Sequence, residues 1–268
     1  MSLDAGRDAQ SVLKVRRRTA AGLATAAGLL IVATLLPFAF RGVLAIDKPH
    51  IGLIACWTHS PTALCVYYYD YGNWLWLHSS PPVQSVALDN REIAVVQYET
   101  VVMDRGLCRQ RIALVMDVAA RSPGQHTVSA ITITRGSLVD TISVGSIVFD
   151  AREAAGETSV SDLSGWIVSG SPVRGGEGIS GRFWLSSEKD IPLEVTVYLE
   201  GLPPYLTCEP VAIKLSARET TFVPMVVATE GVQTPAYVLV RPWLAVRSDA
   251  REFAEQPGPL MVIEIDVP

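Results

Sequence analysis

The chain has 268 residues, of which 49% are hydrophobic, with 22 Lys and Arg against 27 Asp and Glu and a formal net charge of −5. The basic residues crowd at the start: Arg7, Lys14, Arg16, Arg17 and Arg18, against Asp4 and Asp8, sum to +3, and Arg41 adds one, which leaves −9 for residues 42–268. A body that acidic argues against nucleic acid and anionic membrane surfaces as partners, while its apolar content argues against disorder.

Residues 1–18 read as a basic cytoplasmic tail. Thr19 to Phe40 follows without a charge. As a helix this run spans roughly 33 Å, enough to cross a bilayer core. The sequence therefore predicts a transmembrane helix over 19–41. The flanking positive charge keeps the N-terminus cytoplasmic and places residues 42–268 outside. A cleaved signal peptide is the competing reading, because Val43, Leu44 and Ala45 give an acceptable cleavage spacing. The apolar run exceeds the usual 7–15 residues of a signal core, which favours an uncleaved anchor. Ala20, Ala24 and Gly28 put small residues at i, i+4, i+8, a spacing that admits a second helix as well as being ordinary anchor composition.

The remaining ~225 residues suffice for one large domain or two ordinary ones. Their pattern is β throughout. Predicted strands in the first half are Gly52 to Thr58, Leu64 to Tyr69, Val83 to Leu88, Glu92 to Met103 and Arg111 to Val118. Gln125 to Thr134 alternates apolar and hydroxyl residues, Arg135 and Gly136 form a turn, and Ser137 to Phe149 returns as the second arm of a hairpin. Ala151 to Thr158 is charged and apolar-poor, which reads as a linker. The second half repeats the style with Val160 to Val168, Gly178 to Ser186, Leu193 to Leu199, Val211 to Leu215, Thr220 to Ala228, Ala236 to Val246 and Leu260 to Val267. Prolines fall mainly between or at the ends of these runs, where a sheet tolerates them. The expected fold is all-β: two tandem β-sandwich domains, 46–150 and 159–268, joined by the 151–158 linker behind the single helix.

On Gln125 to Asp150, and on Leu193 to Val227 with its Pro203, Pro204, Tyr205, Leu206 loop, the chain resembles the immunoglobulin-like sandwiches of bacterial extracytoplasmic proteins. The resemblance implies spacers, assembly surfaces or recognition modules, and it carries over no residue roles.

Four cysteines, Cys56, Cys65, Cys108 and Cys208, stand in a compartment that permits disulfides. If Ser60 and Pro61 centre a turn, Cys56 and Cys65 face each other on a hairpin as a candidate disulfide; buried free thiols are the alternative. Gly176 to Gly181 matches a dinucleotide-binding glycine pattern, but the strand-like Arg182 to Ser186 follows where a helix is needed. His50, His59, His78 and His126 share no metal spacing, and Cys56 with His59 would need two further ligands. No metal or other cofactor is expected, and no nucleophile motif points to an enzyme.

Tyr67 to His78 holds six of the fourteen Tyr and Trp residues. Tyr67, Tyr69 and Tyr71 share one strand face, and Trp74 and Trp76 another. Aromatics with a polar tip suit a protein interface, a sugar or the membrane–water boundary, and equally a sandwich core. The expected function is a membrane-anchored extracytoplasmic assembly protein that presents its β-sandwich domains to another envelope protein. A glycan- or cell-wall-binding module and a cryptic hydrolase or metal enzyme in the first domain are the alternatives.

Overall fold

The structure, a computed structural model, describes residues 25–26, 28–30, 43–71, 81–106, 109–153, 166–167, 179–186, 193–217, 220–229, 234–248, 253–258 and 260–265. The all-β class is borne out. Thr25, Ala26 and Gly28 to Leu30 are helical, and among the described residues no helix is long and apolar enough to cross a membrane. The rest of the expected span, 19–41, lies outside the described residues.

The strands run in chain order as Leu44–Ile46 (β1), His50–Trp57 (β2), Thr62–Asp70 (β3), Ser85–Leu88 (β4), Ile93–Arg105 (β5), Gln110–Ala120 (β6), Gly124–Arg135 (β7) and Leu138–Arg152 (β8). Beyond the expected linker come Trp166–Ile167 (β9), Ile179–Ser186 (β10), Leu193–Glu200 (β11), Leu206–Cys208 (β12), Val211–Leu215 (β13), Thr220–Thr229 (β14), Ala236–Arg241 (β15), Trp243–Ser248 (β16), Phe253–Pro257 (β17) and Met261–Ile265 (β18).

They form four sheets, ordered β1-β3-β6-β5, β18-β15-β2-β8-β7-β4, β12-β14-β10-β9 and β13-β11-β16-β17. The predicted hairpin of β7 and β8 is present, but its turn lies at Gly136 and Ser137, one residue later than the expected Arg135 and Gly136, with Gly136 at φ 58 supplying the positive φ that a two-residue turn needs.

The first core lies between the β1-β3-β6-β5 sheet and the six-stranded sheet. Strand alternation builds it: Leu64, Val66 and Tyr68 of β3 point in, against Ile54 and Cys56 of β2, Ile131 and Ile133 of β7 and Ile147 and Phe149 of β8. One end is tied by the buried Arg135 guanidinium, which donates to Asp70 at 3.2 Å and Asp140 at 2.8 Å and so links the two facing sheets.

The expected division at 151–158 is corrected by the six-stranded sheet. Ala151 and Arg152 belong to β8, and β15 and β18, from beyond the linker, complete the sheet of the first half. β15 lies parallel to β2, with Tyr237 opposite His50 and Arg241 opposite Ile54. The physical reason is visible in β15 itself. Ala236 to Val240 are buried without a break, as in a strand covered on both faces. Leu239 packs into the first core, while Val238 and Val240 pack with Leu206, Val227, Met261 and Ile263 in another. The pairing requires a close backbone approach, because a Cβ at Gly52 would sit 1.8 Å from the Leu239 carbonyl oxygen.

The run Ala236 to Val246 is two strands rather than one. Pro242 separates β15 from β16, and the two join different sheets, since proline has no N–H to continue a ladder. Its carbonyl instead accepts from Gly258 N–H at 2.7 Å. A further core gathers Val195, Val197, Leu215, Val223, Leu244 and Val246.

Candidate interaction surface

The tyrosine run divides by parity. Tyr68 enters the core, whereas Tyr67, Tyr69 and Tyr71 are half-buried. β1 pairs with β3 only as far as Ile46 opposite Tyr68. The chain then turns away into β2, and the imidazole of His50 replaces it at the sheet edge: Tyr67 N–H donates to Nε2 at 3.0 Å. The Tyr67 ring lies 4.6 Å from that of Tyr237, centroid to centroid, and Tyr237 lies 4.9 Å from His50.

Charges close this aromatic triad. The Tyr237 hydroxyl donates to Asp47 Oδ2 at 2.6 Å and to Glu264 Oε1 at 3.2 Å. Arg111 places Nε 2.7 Å from Asp47 Oδ2, and its guanidinium stands over Tyr67. Lys48 Nζ meets Glu264 Oε1 at 2.6 Å. Hydrogen bonds to charged partners of this kind contribute about 1.5–3 kcal/mol each when buried. Burial lowers the His50 imidazole to about 4, so it is neutral at pH 7 and free to accept at Nε2. Burial also pushes the Tyr67 phenol up to about 12, so it remains protonated. Tyr67 is thus part of an internal joint between the two halves of the chain.

Tyr69 and Tyr71 reach further out. The exposed Arg109 guanidinium lies 4.2 Å from the Tyr69 ring centroid, a cation–π distance, and hydrogen bonding to Tyr71 raises the Arg109 pKa. Partial burial and a hydrogen bond to Asp47 raise the Tyr69 phenol. Arg109, Tyr69 and Tyr71 therefore form an aromatic–cation surface that borders the Asp47 joint. Trp74 and Trp76 lie outside the described residues, as do His78 and Cys108.

A second joint holds the far end of β2. Trp243 is fully buried and donates from Nε1 to Asp150 at 2.6 Å. Trp57 packs on it at 4.7 Å, and Arg152 stands over it at 4.3 Å. Arg241 donates to Thr62 Oγ1 at 3.0 Å and to the Gly258 carbonyl at 2.7 Å.

The expected Cys56–Cys65 hairpin is corrected. β2 and β3 belong to different sheets, and the bend between them crosses the sandwich: Thr58 N–H bonds Arg152 on one side and His59 N–H bonds Ala120 on the other. Cys56 points into the core, Cys65 points away from it, and both are free thiols, as is Cys208. Burial raises the Cys56 thiol to about 11 and also raises that of Cys65.

Of the glycine pattern, Ile179 to Gly181 open β10, so a strand follows it rather than a helix. Among the described residues no group of three or more His, Cys, Asp or Glu is arranged to hold a metal ion.

No protein-family model matches the chain, and no curated protein matches it in sequence. Similar solved structures include the secreted serine protease VesC from Vibrio cholerae, at 9% identity and a TM-score of 0.19 over 85% of this chain and 54% of that one. The chain thus spans about half of that protein's length. The D0-D1 domain of intimin is similar at 10% identity and a TM-score of 0.18, over 82% of this chain and 97% of that one. The collagen binding domain of the Erysipelothrix rhusiopathiae surface protein RspB is similar at 9% and 0.21, over 83% and 93%. RspB is described as a surface protein, and identity and TM-score are low in all three comparisons.

Proposed function

We propose that this chain is a non-enzymatic module of the extracytoplasmic side, held to the membrane by residues 19–41, that presents a rigid β platform to a partner protein. The observation that carries this reading is the Arg109–Tyr69–Tyr71 surface, mounted beside the Tyr237–Asp47 joint. Aromatic residues and Arg are the types enriched where protein partners meet, and they bind best when their own conformation is fixed beforehand. Here Asp47 is fixed by Arg111 and Tyr237 beneath the patch. The acidic body supports a partner with a basic or neutral face.

The test compares Tyr71→Ala and Arg109→Ala with the unaltered full chain, extracted from membranes in detergent. Melting temperature should change little for Arg109→Ala, whose side chain is exposed, and only modestly for Tyr71→Ala, which is half-buried outside the core, while a co-purifying partner should be lost in both. Retention on isolated wall material, with the same two changes abolishing it, would transfer the patch to a glycan. Unchanged co-purification by both variants overturns the assignment of the patch.

A further inference from the structure

Among the described residues β5 is the edge of the β1-β3-β6-β5 sheet, and it spans thirteen residues, Ile93–Arg105. Its first part is anchored: Ile93 lies in the core, and Val95 and Tyr98 pack against it. From Glu99 onward every residue is exposed, and Val101, Val102 and Met103 present 42%, 40% and 54% of their surfaces. A long apolar strand with one free backbone edge is a template for another strand.

Two bulges limit where that pairing can run. The ladder with β6 slips between Val95 and Gln97 and again between Val102 and Asp104, so Val96 and Met103 are the extra residues. Between them Gln97 to Val102 is regular. Core partners set the faces: Tyr98, Thr100 and Val102 lie opposite Met116, Leu114 and Ile112, which are core residues, so Gln97, Glu99 and Val101 lie on the outer face.

We infer that β5 pairs antiparallel with β5 of a second copy of this chain, about a two-fold axis at Thr100. Such an axis stands perpendicular to the sheet and keeps outer residues opposite outer residues, so the axis must pass through a residue. At Glu99 it would set two carboxylates directly against each other, which is destabilising. At Val101 it would set Tyr98 opposite Asp104 and Glu99 opposite the bulged Met103. At Thr100 it sets Thr100 against Thr100, Tyr98 against Val102 and Glu99 against Val101. These are hydroxyl and aromatic–β-branched pairs of the favourable sort, with no like charges opposed. The bulges end the pairing on both sides. The result is one eight-stranded sheet whose outermost strands are the three-residue β1, so the interface is isologous and does not propagate.

Sedimentation equilibrium on the full chain in detergent should show a reversible dimer of twice 28.9 kDa. Val101→Glu sets a second carboxylate opposite Glu99 and should weaken the dimer by roughly 2- to 30-fold, whereas Val101→Lys should tighten it by a similar factor. Both side chains are tolerated by the fold, since the position is exposed, and a melt checks this. Thr100→Cys should give a covalent dimer on mild oxidation, with the bridge mapped to residue 100 in both copies. A chain that stays monomeric, a strand of another protein on β5 included, overturns the proposal. So do equal losses on Val101→Glu and Val101→Lys, which would mark unspecific apolar association.

Discussion

The Tyr237 hydroxyl and the Asp47 carboxylate, 190 positions apart in sequence, meet at 2.6 Å. The bond ties β15 to the turn between β1 and β2 at the point where the first sheet loses its edge strand. Tyr237→Phe keeps the ring contacts with Tyr67 and His50 and removes only the donor. It should cost about 1.5–3 kcal/mol, read as a lower denaturant midpoint with an unchanged m-value.

Gly52→Ala should be far more damaging than an exposed glycine change. The new methyl would overlap the backbone of Leu239, which no side-chain rotamer can relieve. The expected loss is at least about 3 kcal/mol, because overpacking against backbone forces the strands apart. Native-state hydrogen exchange should show faster opening of β2 and β15 together. If instead two separate unfolding transitions appear in the unaltered chain, the continuous six-stranded sheet is refuted.

The all-β class and most strands were legible because strand alternation is a local signal. Val211–Leu215 was predicted to the residue. The pairing of β15 with β2 was not legible, since nothing in Ala236 to Arg241 names its partner; only the lack of a polar face hinted that both sides are covered. β1 and β12 went unseen because three residues carry no period. The Cys56–Cys65 prediction failed because Ser60 and Pro61 suit a bend of either kind, and the sequence does not say whether the chain returns in its own sheet or crosses to the facing one. Of the candidate surface, Tyr67, Tyr69 and Tyr71 were readable by composition. His50, Asp47, Arg111, Tyr237 and Glu264 were not, because they come from separate strands and turns.

Acid should loosen the joint. The unfolded imidazole of His50 titrates near 6.5 and the folded one near 4. Above pH 6.5 both forms are neutral and the full stability is present. As pH falls from 6.5 to 4, the unfolded chain takes up a proton that the folded chain refuses, so stability drops by up to roughly 3 kcal/mol. Asp47, Lys48, Arg111 and Glu264 surround the same joint, so the informative quantity is the difference from His50→Gln. That variant should lose less stability than the unaltered chain between pH 7 and 4.5.

The thiols should separate by reactivity. Cys56 is buried with a thiol at about 11, so an alkylating reagent should reach it only in denaturant. Cys65, half-buried on the opposite side of its sheet, should react first of the two. A peptide carrying a Cys56–Cys65 bridge after non-reducing digestion would contradict the strand assignment.

The parallel pairing of β2 and β15 also sets a waiting time during synthesis. β2 ends at Trp57, and its partner begins at Ala236. At ~5–20 residues per second, the open side of β2 has no native neighbour for roughly 10–35 s after it is made. Over that interval it is a solvent-exposed template beside β8. Premature termination before Ala236 leaves the His50–Ile54 edge without its partner and should yield aggregation rather than a shorter folded product.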